Sequence, residues 1–575
     1  MLEVFAKFYE SLYADVSHKI EQMAGRDHSE PITPEEIIAA LKKLRPGRSC
    51  GDDGLYAEML KTQHKGLVVL IANIFTDILH GVVDAPATWS VSRLVVLFKK
   101  GDATLPKNYR PIAIIPVLSK LFSGVLLNRI GPLLDSLLDP EQGGFRPDYS
   151  CSDIVMFMRM VAEKADEWGK EIWAASLDLE KAFDKVYHSS IISALAEAGA
   201  DPDVIRFLWD LYRQQSAYVC LPGKYKSRLF EILRGVRQGD PMSPVLFNNV
   251  TRRIFRDLKS KWALHGFGTV ACGSTHEKTT HAMFADDTTV FASSRTSLIA
   301  MIKEVKIALA EHGLNLNMDK CIVQTSRVNA RIQPIIIDGE AIPMVGASEG
   351  FKVLGVQYTL EGRCSAEIKA RMAAAWAKFY TLWPLLGKRD GNLLKRLQLF
   401  DSCVTQTALW CCESWLITQK EKNLLQSTQN RMLRKIAGPR RRPDEDWVEW
   451  IKRSTREATG RAKEAGIRFW LNAHLKSKWC WAGHVIRMSP ERLARRAVEW
   501  RDAEWWAKEV AEVSAQLRMR RPHRTHWFRW EDELRRYASR CGWSSWQSVA
   551  RTRNSSGNAS TWLDHCEAFI LHSRK

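Results

Sequence analysis

Phe284-Ala285-Asp286-Asp287 sets two adjacent carboxylates between apolar flanks, Ala282-Met283-Phe284 before them and Val290-Phe291 after. Apolar runs broken by a short polar pair predict a tight hairpin between buried strands, with the acids at its bend. Such a pair alone is most often a solvated turn. A third carboxylate changes its meaning. Asp178 ends the run Ile172-Trp173-Ala174-Ala175-Ser176-Leu177, which reads as a buried strand, and Lys181-Ala182-Phe183-Asp184 follows. Three carboxylates gathered at strand ends suit two Mg²⁺ ions about 3.5–4 Å apart, the spacing that in-line phosphoryl transfer uses.

Composition agrees with such chemistry. A chain of 575 residues is too long for one ordinary domain. Its 84 Lys and Arg against 65 Asp and Glu give a net charge of +19, and the pI is near 9.4. That excess calls for a polyanionic partner, a nucleic acid or an anionic surface. The charge is uneven: residues 431–575 hold 32 basic and 17 acidic residues, together with 13 of the 22 tryptophans. Interleaved basic and aromatic side chains suit backbone neutralisation plus base stacking. A helical bundle with Trp in its core and a basic solvated face fits the same composition. The 12 cysteines form no C-x-x-C pair, and Cys480 with His484 has no second pair at zinc-finger spacing, so a reducing compartment fits. The N-terminus has no signal-peptide core. The most apolar run, 67–83, is broken by Asn73, Asp77 and His80, so no membrane span is expected.

Along the chain, Thr33-Pro34-Glu35-Glu36 is a capping box that opens a helix over 37–44. Helical patterns follow over 66–79 and from Pro116 to Leu138, with a strand over Val91–Phe98 between them. Strands and helices mingle to about residue 360, and from Ala366 onward the pattern is helical. Gly438-Pro439-Arg440-Arg441-Arg442-Pro443 reads as a linker and a domain boundary.

These segments, taken in order, resemble the reverse transcriptase of non-LTR (LINE-type) retrotransposons. The resemblance is carried by Asn108-Tyr109-Arg110-Pro111-Ile112, Gly144-Phe145-Arg146-Pro147, the run 177–184, and Gly235-Val236-Arg237-Gln238-Gly239-Asp240-Pro241-Met242-Ser243-Pro244. It continues through Phe284-Ala285-Asp286-Asp287, Gly313-Leu314-Asn315-Leu316-Asn317 with Lys320, and Phe351-Lys352-Val353-Leu354-Gly355-Val356. It implies an α+β right-hand polymerase of fingers, palm and thumb, followed by a helical basic region. The expected division is 1–83 as a helical extension, 84–360 as fingers and palm, 361–440 as thumb, and 441–575 as a basic, Trp-rich nucleic-acid-binding region.

The resemblance also implies site roles. Asp178, Asp286 and Asp287 would be the catalytic, metal-binding carboxylates, holding two Mg²⁺, with Mn²⁺ as an alternative. Arg110 and one of Lys99 or Lys100 would grip the triphosphate, and Phe183 would reject a ribose 2′-hydroxyl by clash. Gln238 and Gly239 would lie under the incoming base pair, and Lys320 near the leaving pyrophosphate. Arg146 would serve template phosphates or cap a turn. The implied partners are an RNA template, a DNA primer or target and deoxynucleotides, in an intracellular ribonucleoprotein of nucleus and cytoplasm. A catalytically idle RNA-binding copy and an intron maturase are the rival readings. Asp52 departs from the usual Pro of its turn, and no zinc knuckle or endonuclease cluster is visible. The chain starts where the polymerase extension starts, and 479–488 resembles a stretch common near the family's C-terminus.

Overall fold

The run ending in Asp178 forms strand β3 (Trp173–Leu177), the centre of a five-stranded sheet in this computed structural model, which describes residues 2–14, 29–62, 64–221, 225–269, 278–327, 331–500, 529–552 and 560–574. On one side of β3 lie β8 (Asp287–Ala292) and then β7 (His281–Phe284). On the other lie β9 (Ile322–Thr325) and β12 (Met344–Val345). β3 is antiparallel to both neighbours. Because side chains alternate along a strand, this sheet divides two cores. Trp173, Ala175, Leu177, Met283, Val290 and Val323 face a core shared with the helices Val117–Ser136 and Ser243–Leu264. Ala174, Ala282 and Phe291 face another, built on the helix Cys151–Glu167. Burial on both faces explains why the run before Asp178 is continuously apolar.

A second sheet lies in the expected fingers region. Its order is β2 (Tyr109–Ile114), β1 (Val91–Phe98), β4 (Ser216–Leu221), β5 (Tyr225–Lys226), with β6 (Phe230–Glu231) also paired to β4. Leu94, Ala113, Ala217 and Val219 of this sheet pack on Phe5 and Tyr9 of the N-terminal helix Leu2–Tyr13. Asp52 accepts from Tyr218 Oη at 2.5 Å and pairs with Arg93 at 3.2 Å, so the departure from Pro ties its turn to the fingers sheet. Two hairpins, β10 (Ile335–Ile337) with β11 (Glu340–Ile342) and β13 (Phe351–Val353) with β14 (Val356–Tyr358), precede the region expected to be the thumb.

Helix starts follow their caps. Thr33 accepts from the Glu36 amide and Glu36 from that of Thr33, opening Pro34–Lys43. The helices expected over 66–79 and 116–138 are Lys65–His80 and Val117–Ser136. By length and composition Val117–Ser136 is apolar enough to cross a membrane, yet its Leu121, Phe122, Val125, Leu126, Ile130 and Leu134 are buried in the palm core.

The Pro/Arg stretch breaks the helical run, as expected, between Gln419–Ala437 and Trp447–Glu464. It does not divide the core. In the helix Cys151–Glu167, 14 of 17 residues are buried, five of them charged, and four of these, Asp153, Glu163, Lys164 and Glu167, are answered by residues beyond 490. Glu163 accepts from the Trp530 amide at 2.9 Å, and Glu167 from Arg529 Nε at 2.8 Å. Lys164 Nζ donates to the carbonyls of Ala497, Val498 and Trp500.

Of the two readings of the tail tryptophans, the core one holds for six of the thirteen. Trp470, Trp479, Trp500, Trp530, Trp546 and Trp562 are buried in this shared core. Trp479 and Trp562 stack on each other at 3.7 Å, and each indole N–H donates to the other's carbonyl. Rings so enclosed have no face to offer a base. Trp447 is exposed, Trp450, Trp481 and Trp543 are half-buried, and Trp505, Trp506 and Trp527 lie outside the described residues. Part of the tail's positive charge is also used internally. Lys478 and Lys422 flank the buried Glu533 at 2.7 and 2.9 Å, and Arg453 pairs with Glu445 at 2.7 Å.

Candidate active site

The expected acidic hairpin is β7–β8. Phe284 pairs with Asp287, so the loop is Ala285 and Asp286 alone. A two-residue loop of this kind needs positive φ, and Ala285 stands at +60°. The small side chain makes that conformation tolerable, and Gln142 holds it. Gln142 Oε1 accepts from the amides of Ala285 and Gly144, each at 2.8 Å, and its Nε2 donates to the Ala285 carbonyl at 3.2 Å. Gly144 is required here, since a Cβ would lie 2.1 Å from the Ala285 nitrogen. The Gly-Phe-Arg-Pro motif is thereby the backstop of the acidic turn.

Asp178 follows Leu177, which pairs with Thr288, so the register of β3 and β8 sets Asp178 beside Asp287. Its backbone carbonyl accepts from the Asn317 amide at 2.8 Å, which places the Gly313–Asn317 segment along the site. The three acids feel one another. Asp286 is raised by loss of water and by Asp178, though Arg110 and Lys99 oppose the rise. Asp287 is pushed up to about 6 by loss of water, Asp286 and Asp178. Lys320 Nζ donates to Asp178 Oδ2 at 2.8 Å and supplies part of the missing positive charge.

The donor set is all carboxylate oxygen, which suits hard divalent cations. Among the described residues no group of three or more His, Cys, Asp or Glu side chains is already placed to hold a metal ion. An open set fits Mg²⁺, which keeps several waters and takes substrate phosphates alongside one or two carboxylates. By donor type Asp178, Asp286 and Asp287 suit a hard divalent cation.

Of the other expected residues, Arg110 and Lys99 act on Asp286 of the acidic pair by their charge. Arg110 is exposed on β2, opposite Leu97, and its charge acts on Asp184 as well as Asp286. Of the two fingers lysines, Lys99 is the one whose charge acts on Asp286, while Lys100 is exposed on the turn beyond β1. Phe183 is half-buried, its ring 4.5 Å from Phe247 and 6.0 Å from Phe145. Gln238 donates to Asp184, and Gly239 has φ +118. Arg146 donates to Asp135 and to the carbonyls of Asp139 and Gln142 at 2.9–3.2 Å, so it braces the loop behind the hairpin rather than facing a template. The tail reaches the same loop: Arg492 lies 3.3 Å over the Tyr149 ring and bonds Asp153 at 2.6 Å.

Sequence reading missed Gln142 and Asp184. Gln142 stands two residues before Gly144, and Asp184 closes a quoted motif. Their partners are 143 and 54 residues away, and no spacing announces such contacts.

Residues 98–358 match the family model described as reverse transcriptase (RNA-dependent DNA polymerase). The chain is 28% identical over 349 residues to the Pol polyprotein of the type-2 retrotransposable element R2DM of Drosophila melanogaster, covering 59% of this chain and 31% of that protein. It is 27% identical over 374 residues to the R2 Pol polyprotein of Popillia japonica, covering 64% and 50%. Over 422 residues it is 26% identical to the probable RNA-directed DNA polymerase from transposon BS of Drosophila melanogaster, covering 71% and 45%. The chain thus spans half or less of the length of these relatives. Residues 98–358 are therefore similar to reverse transcriptase domains, and the chain is similar over 59–71% of its length to these retrotransposon polymerases.

Proposed function

We propose that this protein is an RNA-directed DNA polymerase that extends a DNA primer with deoxynucleotides along an RNA template. The observation that supports it best is the register that sets Asp178 beside the Asp286-Asp287 turn. When bound, two Mg²⁺ ions would stabilise charge on the attacking 3′-oxygen and on the leaving pyrophosphate. Mn²⁺ has the same oxygen preference and would substitute.

The chain's own residues supply the rest. Arg110 offers a guanidinium fork to phosphate and Lys99 a point charge. Lys320, now on Asp178, is free to turn to pyrophosphate once a cation replaces it. Phe183, which packs on Phe145 and Phe247, would exclude a 2′-hydroxyl by clash. Ala285 is pinned by Gln142, so the acidic turn is shaped before substrate arrives. A ribonucleoprotein passing between cytoplasm and nucleus is the setting that goes with this reading. The test is extension of an oligo(dT) primer on poly(A) RNA by the full chain. Incorporation is expected with Mg²⁺, none with a chelator, and recovery when Mg²⁺ is returned. Absence of incorporation by folded protein would overturn the reading.

A further inference from the structure

We propose that Asp184 is a positioning residue: it fixes the Gln238 amide with its carbonyl turned to the incoming nucleotide, and the N-terminal helix Leu2–Tyr13 holds it there through Tyr13. The proposal rests on the polymerase reading above.

Asp184 lies in the helical turn Ala182–Lys185, directly after Phe183, and is 5% exposed. One of its oxygens, Oδ1, accepts from Gln238 Nε2 at 2.7 Å and from Tyr13 Oη at 3.2 Å. A carboxylate can only accept, so Gln238 must offer its NH₂. The planar amide then carries Oε1 on the opposite side. A buried, charge-assisted bond makes the flipped amide costly.

The backbone of Gln238 is fixed as well. Its carbonyl accepts from the Ala113 amide of β2 at 3.0 Å. Gly239 is so close to that strand that a Cβ would stand 2.6 Å from the Ala113 oxygen. Main chain and side chain are thus held by different elements, fingers strand and palm turn, and one orientation results. Oε1 is an acceptor, matched to an O–H or N–H donor on sugar or base and mismatched to a phosphate oxygen.

The N-terminal helix closes this arrangement from the far side. The Tyr13 carbonyl accepts from the Leu233 amide at 3.1 Å, and the Leu12 carbonyl from Arg234 Nε at 2.9 Å. Lys181 Nζ lies 4.2 Å over the Phe8 ring. A helix at the start of the chain therefore grips both the turn that carries Asp184 and the loop that carries Gln238.

The test is single-nucleotide incorporation by the full chain, with KM for a matched deoxynucleotide separated from kcat. Asp184→Asn keeps the shape but satisfies either face of the Gln238 amide. It is expected to raise KM about tenfold with little change in kcat, the mark of lost binding rather than lost chemistry. Gln238→Glu alone sets two carboxylates together and is expected to do worse. The double variant Asp184→Asn with Gln238→Glu lets an amide donate to a carboxylate again, and KM should return most of the way. A role in stability alone would lower the melting temperature and show no such rescue. Should Asp184→Asn fail to fold, Tyr13→Phe removes only the second donor and is expected to raise KM about two- to threefold. An unmoved KM in the folded variant, with the wild type active, overturns this proposal alone. A wild type that cannot extend a primer overturns the polymerase reading and this with it.

Discussion

At the scale of single residues, Gln142 and Phe183 do different work and fail differently. Gln142 satisfies the amides of Ala285 and Gly144 and the carbonyl of Ala285, all in a buried turn. Gln142→Leu leaves these groups unpaired, at about 1–3 kcal/mol for each one that water cannot reach. The expected result is a clear drop in the unfolding midpoint together with slow extension, read by denaturant melts and primer extension on the same preparation. An unchanged midpoint would show that the hairpin holds itself. Phe183 is half-buried and meets the rings of Phe145 and Phe247. Phe183→Val is expected to lower the ratio of dNTP to rNTP kcat/KM by about tenfold or more, because the excluding ring is gone. A ratio that stays put would make Phe183 plain core. Residues such as Asp178, Asp286 and Phe183 were legible in sequence because their chemistry demands one residue type at one spacing. Gln142 and Tyr13 were not. Glutamine and tyrosine occur anywhere, and their partners lie 143 and 171 residues away.

At the scale of elements, local signals were reliable where they were local. The strand Val91–Phe98 and the capped helix Pro34–Lys43 follow from periodicity and capping alone. The fate of the C-terminal helices did not follow, because a Trp-rich basic helix reads alike whether its rings face a partner or a core. His474, on the helix Trp470–Arg487, shows which outcome holds. It is fully buried against Trp415, its Nδ1 is 2.9 Å from the Cys412 carbonyl, and burial with the nearby Lys478 lowers it to about 4. His281 on β7 is likewise held at about 4 by burial. Both fold as neutral rings, with pKa values below the unfolded value. Their contribution is therefore complete above about pH 6.5 and is lost as pH falls toward 4, at up to about 1.4 kcal/mol per pH unit for each. The unfolding free energy is expected to fall between pH 7 and pH 5, and His474→Asn to make that fall shallower. Equal pH dependence in wild type and variant would mean that His474 takes up its proton without cost.

At the scale of the whole molecule, the tail and the palm are one structure. The palm helix Cys151–Glu167 supports β7 and β8 on one face and meets residues 497–500 and 529–530 on another. Removing residues 444–575 would strip the covering from Glu163, Lys164 and Glu167, leaving charges and apolar surface exposed at the back of the active site. The truncated chain is expected to aggregate or to melt without a cooperative transition, as seen by calorimetry. A cooperative melt close to that of the full chain would mark the tail as an appended module. The account turns on whether the three acids drive nucleotidyl transfer, and one comparison tests that most directly. Wild type and Asp286→Asn, both shown folded, are given an RNA template, a DNA primer, one matched deoxynucleotide and Mg²⁺. Wild type is expected to add the nucleotide and the variant to fall below about a hundredth of that rate, since losing a metal ligand removes several kcal/mol of transition-state stabilisation. Incorporation by Asp286→Asn at near wild-type rate would contradict the assignment of the acidic hairpin as the catalytic centre.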